Sequence, residues 1–323
     1  MYKTRKKNKS VYHFAVLACL LMMFFSCVPV YRTEQALMEQ TPMESLSPLE
    51  TVRRLVEENK QSVSTRSAST AAHPKEIKEI LDRGYIVFAM TSQDVKPFFY
   101  REEKTGELIG LDVEIAYAIA NRMGVNAVFN RNATSFDGVV MQVVEKKADI
   151  ALSKLSRTIR RAELVRFTSP YITFRQALLV NRLEFARIGT EAQLPQYIRN
   201  YKGTLGVIKN SSYVNYALTN FPAADIKTFD TWDEAVDALF DGKVLAVYRD
   251  EGEILIINST RKDVSILMKP VFINDKRDPI AMAVSAEAPL LQEWLNLFLA
   301  DYLVQNHQEL TPSRLVKRHF ETK

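Results

Sequence analysis

The chain has 323 residues, of which 47% are apolar and 25% are charged, and this balance is typical of a globular protein rather than a disordered one. Its formal net charge of +5 is matched by five bases near the N-terminus, which are Lys3, Arg5, Lys6, Lys7 and Lys9. The remainder is therefore neutral, which argues against a nucleic-acid-binding protein.

The N-terminal segment has the order of a secretory signal. Its bases precede an apolar run at residues 14–25, which is too short to span a bilayer comfortably and is followed by Ser26 and Cys27. We therefore expect residues 1–27 to be a signal peptide and the protein to be exported. The two cysteines are Cys19 and Cys27, so we expect no disulfide and no cysteine-based metal site downstream.

The end of this signal, Phe24-Phe25-Ser26-Cys27, resembles a bacterial lipobox, in which the signal is cut before a cysteine that then carries lipid. The resemblance implies that Cys27 is lipidated and that the protein is membrane-anchored, either in the periplasm or on the cell surface. An ordinary signal peptide that contains an incidental cysteine is the alternative.

Residues 28–73 are polar, contain no glycine and include a run rich in serine and threonine at residues 62–70. This composition buries too little apolar area to offset the entropy of ordering a backbone, so it predicts a flexible stalk. Within it, Leu49, Leu55 and their apolar neighbours recur at helical spacing, which allows a short helix at residues 49–58.

From residue 74 onward, strand and helix patterns alternate in two series. The first series predicts strands at 85–90, 127–129 and 150–152 and helices at 111–122 and 136–146. The second predicts strands at 204–208, 226–229 and 245–248 and helices at 213–218 and 232–240. Repeated strand–helix units of this length predict α/β lobes, each with a mostly parallel sheet flanked by helices.

We assign residues 74–180 and 276–323 to lobe 1 and residues 181–275 to lobe 2. The apolar runs at 177–180 and 271–283 are predicted to be strands that cross between the lobes. A C-terminal helix at 290–304 is expected to pack on lobe 1.

Three loops are candidate sites, because ligands of open parallel sheets bind beyond the carboxyl ends of the strands. In the first, Thr158 is a natural N-cap and places Arg161 in the first helical turn, against the dipole preference there; either an anion or a nearby acid would explain it. In the second, Ser211 and Ser212 begin a helix, where they form an anion site or merely a cap. In the third, Asp250 could receive an ammonium group or cap a helix.

Several stretches together resemble the bacterial extracellular solute-binding proteins of family 3, the polar amino-acid-binding proteins that serve ABC importers and have the type II periplasmic binding fold. The matching stretches are 81–87 (LDRGYIV), 97–100 (PFFY), 106–116 (GELIGLDVEIA), 148–151 (ADIA), 156–161 (SRTIRR) and 167–171 (FTSPY). The resemblance covers residues 76–303.

The resemblance implies that Arg161 forks onto a ligand α-carboxylate, that Ser156 contacts the head group and that Asp250 takes the α-amino group. The loop at Ser211 and Ser212 would donate backbone N–H groups from lobe 2. Asn210 stands where this family usually has glycine, and asparagine tolerates a left-handed backbone.

By the same resemblance, Phe136 and Phe98 line the pocket for the ligand side chain. Lys154, with Arg157 and Arg175, could give this pocket positive character and favour an acidic side chain on the ligand. The alternative is that at least two of these three residues are solvated surface charge.

The implied function is binding of an amino acid between two closing lobes by a monomer, without a cofactor or metal, and delivery to an ABC permease in the inner membrane. A same-fold enzyme, such as a small dehydratase, and a ligand sensor are the alternatives. No cysteine follows Cys27, and the four histidines lie outside the predicted cleft, so we expect no enzyme. These histidines are His13, His73, His307 and His319.

Overall fold

The computed structural model describes residues 46–66, 72–186, 196, 200–306 and 310–320. The predicted signal peptide, the lipobox and the first part of the predicted stalk lie outside the described residues.

Helices and strands follow one another along the described chain. The helices are α1 Pro48–Thr65, α2 Lys75–Arg83, α3 Leu111–Met123, α4 Phe136–Val144, α5 Ile159–Ala162, α6 Arg182–Ala186, α7 Ser212–Asn220, α8 Trp232–Phe240, α9 Glu251–Thr260, α10 Lys262–Leu267, α11 Pro289–Asn306 and α12 Pro312–Phe320. The strands are β1 Tyr85–Thr91, β2 Tyr100–Arg101, β3 Leu108–Ile109, β4 Asn126–Ala133, β5 Ile150–Ala151, β6 Val165–Phe167, β7 Ile172–Asn181, β8 Thr204–Ile208, β9 Asp225–Phe229, β10 Ala246–Asp250, β11 Met268–Ile280 and β12 Ala283–Ser285.

Lobe 1 is built on a five-stranded sheet with the order β4-β1-β5-β12-β6. Strand β1 pairs in parallel with β4 and β5, whereas β12 is antiparallel to β5 and β6. Four apolar side chains of β1 are fully buried, namely Ile86, Phe88, Ala89 and Met90. The α/β architecture predicted for this half of the chain is confirmed.

Lobe 2 is built on a second five-stranded sheet with the order β11-β7-β10-β8-β9. Strands β8, β9 and β10 are parallel, and β7 is antiparallel to both β10 and β11. In each of the two five-stranded sheets, one strand therefore runs against the others: β12 in lobe 1 and β7 in lobe 2. Both are mixed sheets, and the three predicted site loops follow β5, β8 and β10, which belong to parallel pairs.

The chain crosses between the lobes at residues 168–171 and 281–282, which connect β6 to β7 and β11 to β12. Two crossings were expected and two are present, but the run at 177–180 lies within β7 and is not the crossing, whereas the predicted run at 271–283 contains the second one. The predicted lobe boundaries at 180/181 and 275/276 fall inside β7 and β11. The apolar run at 177–180 is buried because it lies in the interior of the lobe 2 sheet, and an apolar run does not reveal which of its ends is the crossing.

The prediction of a stalk is wrong for the part that the structure describes at residues 48–65. There, α1 begins with a capping box between Ser47 and Glu50 and packs on α3. Its stripe buries Val52 and Leu55, and the Asn59 side chain donates to the Val125 carbonyl at 2.8 Å. The predicted short helix is confirmed and is longer than expected, because this stripe gains burial against lobe 1.

The C-terminal helices also pack on lobe 1. Leu291, Leu295 and Leu299 of α11 are buried in its core, as predicted. Helix α12 contacts both lobes: Arg318 pairs with Glu114 of α3 at 3.0 Å, and α12 also packs on α9 of lobe 2.

Candidate functional site

The loops after β5, β8 and β10 meet between the lobes, where they surround a cavity of about 10 Å³. A cavity of this size has room for about one water molecule. Its lining residues are Phe136, Lys154, Ser156, Ser211, Ser212, Tyr213, Arg249, Asp250 and Asp278. The structure thus brings together six of the eight predicted ligand-binding residues and adds three that the sequence analysis missed.

The loop after β5 has the cap that the sequence predicts. The Thr158 side chain accepts a hydrogen bond from the Arg161 N–H and begins the short helix α5. The Arg161 guanidinium is buried, but it does not line the small cavity. Its Nη1 donates to the Ser156 carbonyl at 3.0 Å and its Nε donates to Asp137 at 3.0 Å, so a nearby acid does pair with this arginine.

Lys154 crosses from lobe 1 to lobe 2. Its backbone is left-handed, with φ at 47°, and its N–H donates to the buried Asp112 carboxylate at 2.7 Å. Its ammonium group donates to Asp250 Oδ2 at 2.9 Å and to Glu253 Oε1 at 2.6 Å. Because all three side chains are at most 10% exposed, this is a buried ion-pair cluster that joins the lobes.

Asp250 is a helix cap as well as an ion-pair partner. Its side chain accepts a hydrogen bond from the Glu253 N–H and begins α9, as one of the two sequence interpretations predicts. Burial alone would raise the pKa of Asp250, but the charges of Lys154 and Arg249 outweigh it, so the net shift of this pKa is downward. Asp250 therefore stays ionised and holds the lysine.

The loop after β8 supplies serine hydroxyls from lobe 2. Asn210 has φ at 54°, so the left-handed conformation expected at this position is confirmed. The Ser211 hydroxyl caps α7 by accepting from the Tyr213 N–H at 3.3 Å. The Ser212 hydroxyl donates to Ser156 Oγ at 2.8 Å, which is a second direct bond between the lobes.

Arg249 is the first residue that the sequence analysis missed. Its guanidinium is 5% exposed and lies over the rings of Phe136, at 5.6 Å, and Tyr213, at 5.7 Å. Its nearest carboxylate oxygens, on Asp250 and Glu253, are 3.8 and 3.7 Å away. The sequence signal for Arg249 was its position directly before Asp250 at the end of a strand.

Asp278, at the end of β11, is the second missed residue, and Tyr213 is the third. The hydroxyls of Tyr213 and Tyr216 donate to the Asp278 carboxylate at 3.1 and 3.4 Å. Burial and the neighbouring charge of Asp250 raise the pKa of Asp278 to about 6. A single acid directly before the apolar run that begins at Pro279 was the sequence signal for this position.

Asp112 supports the site from inside lobe 1. Its fully buried carboxylate accepts hydrogen bonds from the Tyr171 hydroxyl, at 2.8 Å, and from the Lys154 N–H. Burial raises the pKa of Asp112 to about 7, although both hydrogen bonds oppose this shift. Asp112 thus fixes the backbone of Lys154 and aims its side chain at lobe 2.

A larger crevice of about 500 Å³ adjoins the cavity and shares Phe136 and Arg249 with it. Residues of both lobes line this crevice, including Val95 of lobe 1 and Trp232 of lobe 2, and Phe320 of α12 also contributes. Small-molecule sites commonly enclose about 300–1,000 Å³. The crevice is therefore large enough for the body of a small solute whose head group lies near Arg249.

The other predicted pocket residues lie away from the cavity. Phe98 packs edge-on against Phe174, and both rings flank the Lys154 ammonium, at 5.1 and 5.4 Å. Arg157 is exposed, and Arg175 pairs with Glu251 at 2.7 Å. Positive charge at the cavity therefore comes from Lys154 and Arg249.

Within the described residues, we find no group of three or more histidine, cysteine, aspartate or glutamate side chains that could hold a metal ion. Nor does that part of the chain contain a helix with the length and apolar character needed to cross a membrane.

Two α/β lobes, two crossing segments and a polar site between the lobes define the type II periplasmic binding fold. A family model described as bacterial extracellular solute-binding proteins, family 3, matches residues 87–308. The chain belongs to this family.

The sequence matches to relatives are partial. An arginine-binding periplasmic protein of Mannheimia haemolytica is 28% identical over 48% of this chain and 58% of its own length. A cyclohexadienyl dehydratase of Pseudomonas aeruginosa is 32% identical over 40% of this chain and 47% of its own length. The matched region thus spans only about half of these two relatives.

Among solved structures, a putative ABC transporter binding component from Wolinella succinogenes, complexed with lysine, has a TM-score of 0.61 and 26% identity. The match covers 73% of this chain and 95% of that chain. The proteins to which this chain is similar therefore include binding proteins and an enzyme.

Proposed function

We propose that this chain is the substrate-binding component of an ABC importer and that it holds an amino acid or a similar zwitterion between its two lobes. The observation that carries this proposal is the convergence of buried polar groups from both lobes, Lys154 and Ser156 with Ser212 and Asp250, beside a crevice of about 500 Å³. Family membership and the names of the relatives support the same class of function.

Closure would follow from contacts with both lobes. A solute shifts an open-to-closed equilibrium only by its difference in affinity for the two states. A solute that bridges Ser156 of lobe 1 and the α7 N-terminus of lobe 2 has that difference, because these groups meet only when the lobes are together. The closed form would then be recognised by a membrane permease.

For the binding site, we propose the predicted residues that line the cavity. Phe136, Ser156, Ser211 and Ser212 would contact the ligand, and Lys154 and Asp250 would shape the site through their ion pair. Phe98 would act indirectly, by packing against the Lys154 ammonium. That Arg161 binds the ligand carboxylate stays a prediction, since its guanidinium pairs with Asp137 and the Ser156 carbonyl.

A thermal-shift panel of the standard amino acids, followed by calorimetry on the best ligand, tests the proposal. We expect at least one amino acid to bind, and we expect Arg161→Ala to weaken binding more than Arg160→Ala does, because Arg160 is exposed. The absence of binding by every amino acid would contradict the proposed solute class. Equal affinities for the two variants would remove Arg161 from the site.

We further propose that the protein is exported, works as a monomer and is tethered to a membrane through lipid on Cys27. The basic and apolar order of residues 1–27 supports export, and the lipobox-like Phe24-Phe25-Ser26-Cys27 supports the tether. Metabolic labelling with a radioactive fatty acid should mark the wild type and not Cys27→Ala. Equal labelling of both proteins would exclude lipid on this cysteine.

A second candidate function is a dehydratase-like enzyme. It is supported by the relative described as cyclohexadienyl dehydratase and by Asp278, whose pKa of about 6 would allow it to donate a proton inside the cavity. Incubation of the protein with each ligand found in the panel, followed by NMR, separates the two functions. A binding protein returns its ligand unchanged, whereas a new product that disappears in Asp278→Asn would identify an enzyme.

A further inference from the structure

The carboxylates in and next to the cavity already have partners. Asp250 and Glu253 both accept hydrogen bonds from the Lys154 ammonium, at 2.9 and 2.6 Å. Asp278 accepts hydrogen bonds from the hydroxyls of Tyr213 and Tyr216. A cation that entered this site would therefore have to displace a donor that the protein itself supplies.

Arg249 is in the opposite situation. Its guanidinium is 5% exposed and its Nε has no hydrogen-bond partner among the described residues. Its two ion-pair distances, 3.7 and 3.8 Å, are too long for hydrogen bonds. Because buried polar groups in folded proteins are nearly always paired, an unpaired guanidinium nitrogen in a residue that lines a cavity indicates a missing acceptor.

The N-terminus of α7 faces the same cavity. Ser212, the first residue of this nine-residue helix, lines the cavity with Arg249. The first N–H groups and the dipole of a helix favour an anion at this end. Two independent features, Arg249 and the N-terminus of α7, therefore favour the binding of a small anion in this cavity.

We propose that the site reads its solute through a carboxylate, bound by Arg249 and the first turn of α7, while Lys154 permanently occupies the ammonium position beside Asp250 and Glu253. The inference rests on the proposed function and deepens it: the solute needs a carboxylate but no amino group. Lys154 is thus a specificity-determining residue that removes the recognition of an α-ammonium group.

A free ligand competes poorly with this lysine. Lys154 is part of the chain, so its ammonium is present at the high effective concentration of an intramolecular partner. Its side chain is 3% exposed and its ammonium also lies against the rings of Phe98 and Phe174. Expelling it would expose these rings and hydrate a buried charge before the ligand could bind.

Matched pairs of ligands test the inference on the wild-type protein. Each pair is an amino acid and its analogue without the α-amino group: L-glutamate with glutarate, L-arginine with 5-guanidinopentanoate, and L-phenylalanine with 3-phenylpropanoate. By calorimetry, we expect the amino-free member of the pair that binds to have at least the affinity of the amino acid. If a buried carboxylate bound the α-ammonium group, the affinity for the amino acid would instead be higher by about tenfold or more.

Variants of Lys154 then reverse the preference. Lys154→Gly opens the ammonium position, and glycine accepts the left-handed backbone at φ 47°. We expect this variant to favour the amino acid over its partner by about tenfold. Lys154→Met is the matched control, because it removes the charge but still fills the space, and it should gain no such preference. Melting curves establish that each variant is folded.

The outcomes are distinct. A wild-type protein that prefers the amino acid by tenfold or more overturns the inference and leaves the proposed function standing. If neither member of any pair binds, both the inference and the proposed solute class fail. If a variant does not fold, the wild-type comparison still decides the matter.

Discussion

Replacement of Lys154 by methionine should cost much of the stability of this protein. Methionine keeps the apolar stem between Phe98 and Phe174, so the change mainly removes the ammonium group. Asp250 and Glu253 would then be buried without their cation, with side chains 2% and 10% exposed. Loss of one partner from a buried ion pair typically costs about 3–5 kcal/mol, and we expect a loss in this range.

Urea denaturation at pH 7.5 measures this loss as a change in the free energy of unfolding. The loss should shrink as the pH falls, because protonation removes the unpaired negative charges. The triple variant Lys154→Met, Asp250→Asn, Glu253→Gln is the matched control, since asparagine still caps α9 and all three charges are gone. We expect it to recover most of the lost stability.

A loss below about 1 kcal/mol for Lys154→Met would refute this reasoning, because that is the value of a solvated ion pair. Failure of the triple variant to recover stability would show that the lysine stabilises by packing and not by pairing with these carboxylates.

Three further predictions test the supports of the site. Because α1 packs on lobe 1, Leu55→Ala should lower the free energy of unfolding in urea by about 2–4 kcal/mol. Replacement of the exposed Lys60 by alanine should lower it by less than about 0.5 kcal/mol. Equally small effects of the two variants would instead support a stalk. For Asp112, the folded pKa of about 7 exceeds the unfolded value of 3.8, so the folded protein holds a proton that the unfolded chain has released. Stability from this group should fall as pH rises from about 4 to 7 and then level off, and urea midpoints of Asp112→Asn should lack this slope; an unchanged slope would contradict the raised pKa. Ser212→Ala should cost about 1 kcal/mol, because it removes the bond to Ser156 between the lobes, and an undiminished midpoint would show that this bond does not stabilise the closed state.

Much of the fold could be predicted from the sequence, because the local signals agree with one another. The helix predicted at 232–240 has the observed bounds of α8, since Thr231 caps it and an apolar stripe fills one face. Gly124 ends α3 in the left-handed conformation that a glycine after a helix predicts. Such signals act within one element and do not depend on partners far along the chain.

The errors arise where distant parts of the chain meet. Helix α1 was underestimated because its partner, α3, lies far along the chain, and composition alone favours a stalk. The first lobe boundary was placed too late and the second too early, because burial in a sheet interior and burial at a crossing have the same apolar pattern.

The site shows the same limit. The loops around Ser156, Ser212 and Asp250 were found because each follows a strand, and they do lie together. The pairing of Lys154 with Asp250, 96 positions apart, could not be predicted because no local rule joins them. The charge of Arg249 was overlooked for the same reason, since its importance depends on what the neighbouring acid already binds.

Calorimetric titration of Arg249→Met tests the central claim most directly. The ligand should be the carboxylate that binds the wild type most tightly. Arg157→Met is the matched control, because Arg157 is exposed and directly follows Ser156 in the sequence. We predict that Arg249→Met loses about 100-fold in affinity while Arg157→Met changes by less than about twofold. If Arg249→Met folds and binds as tightly as the wild type, the solute is not held at this site.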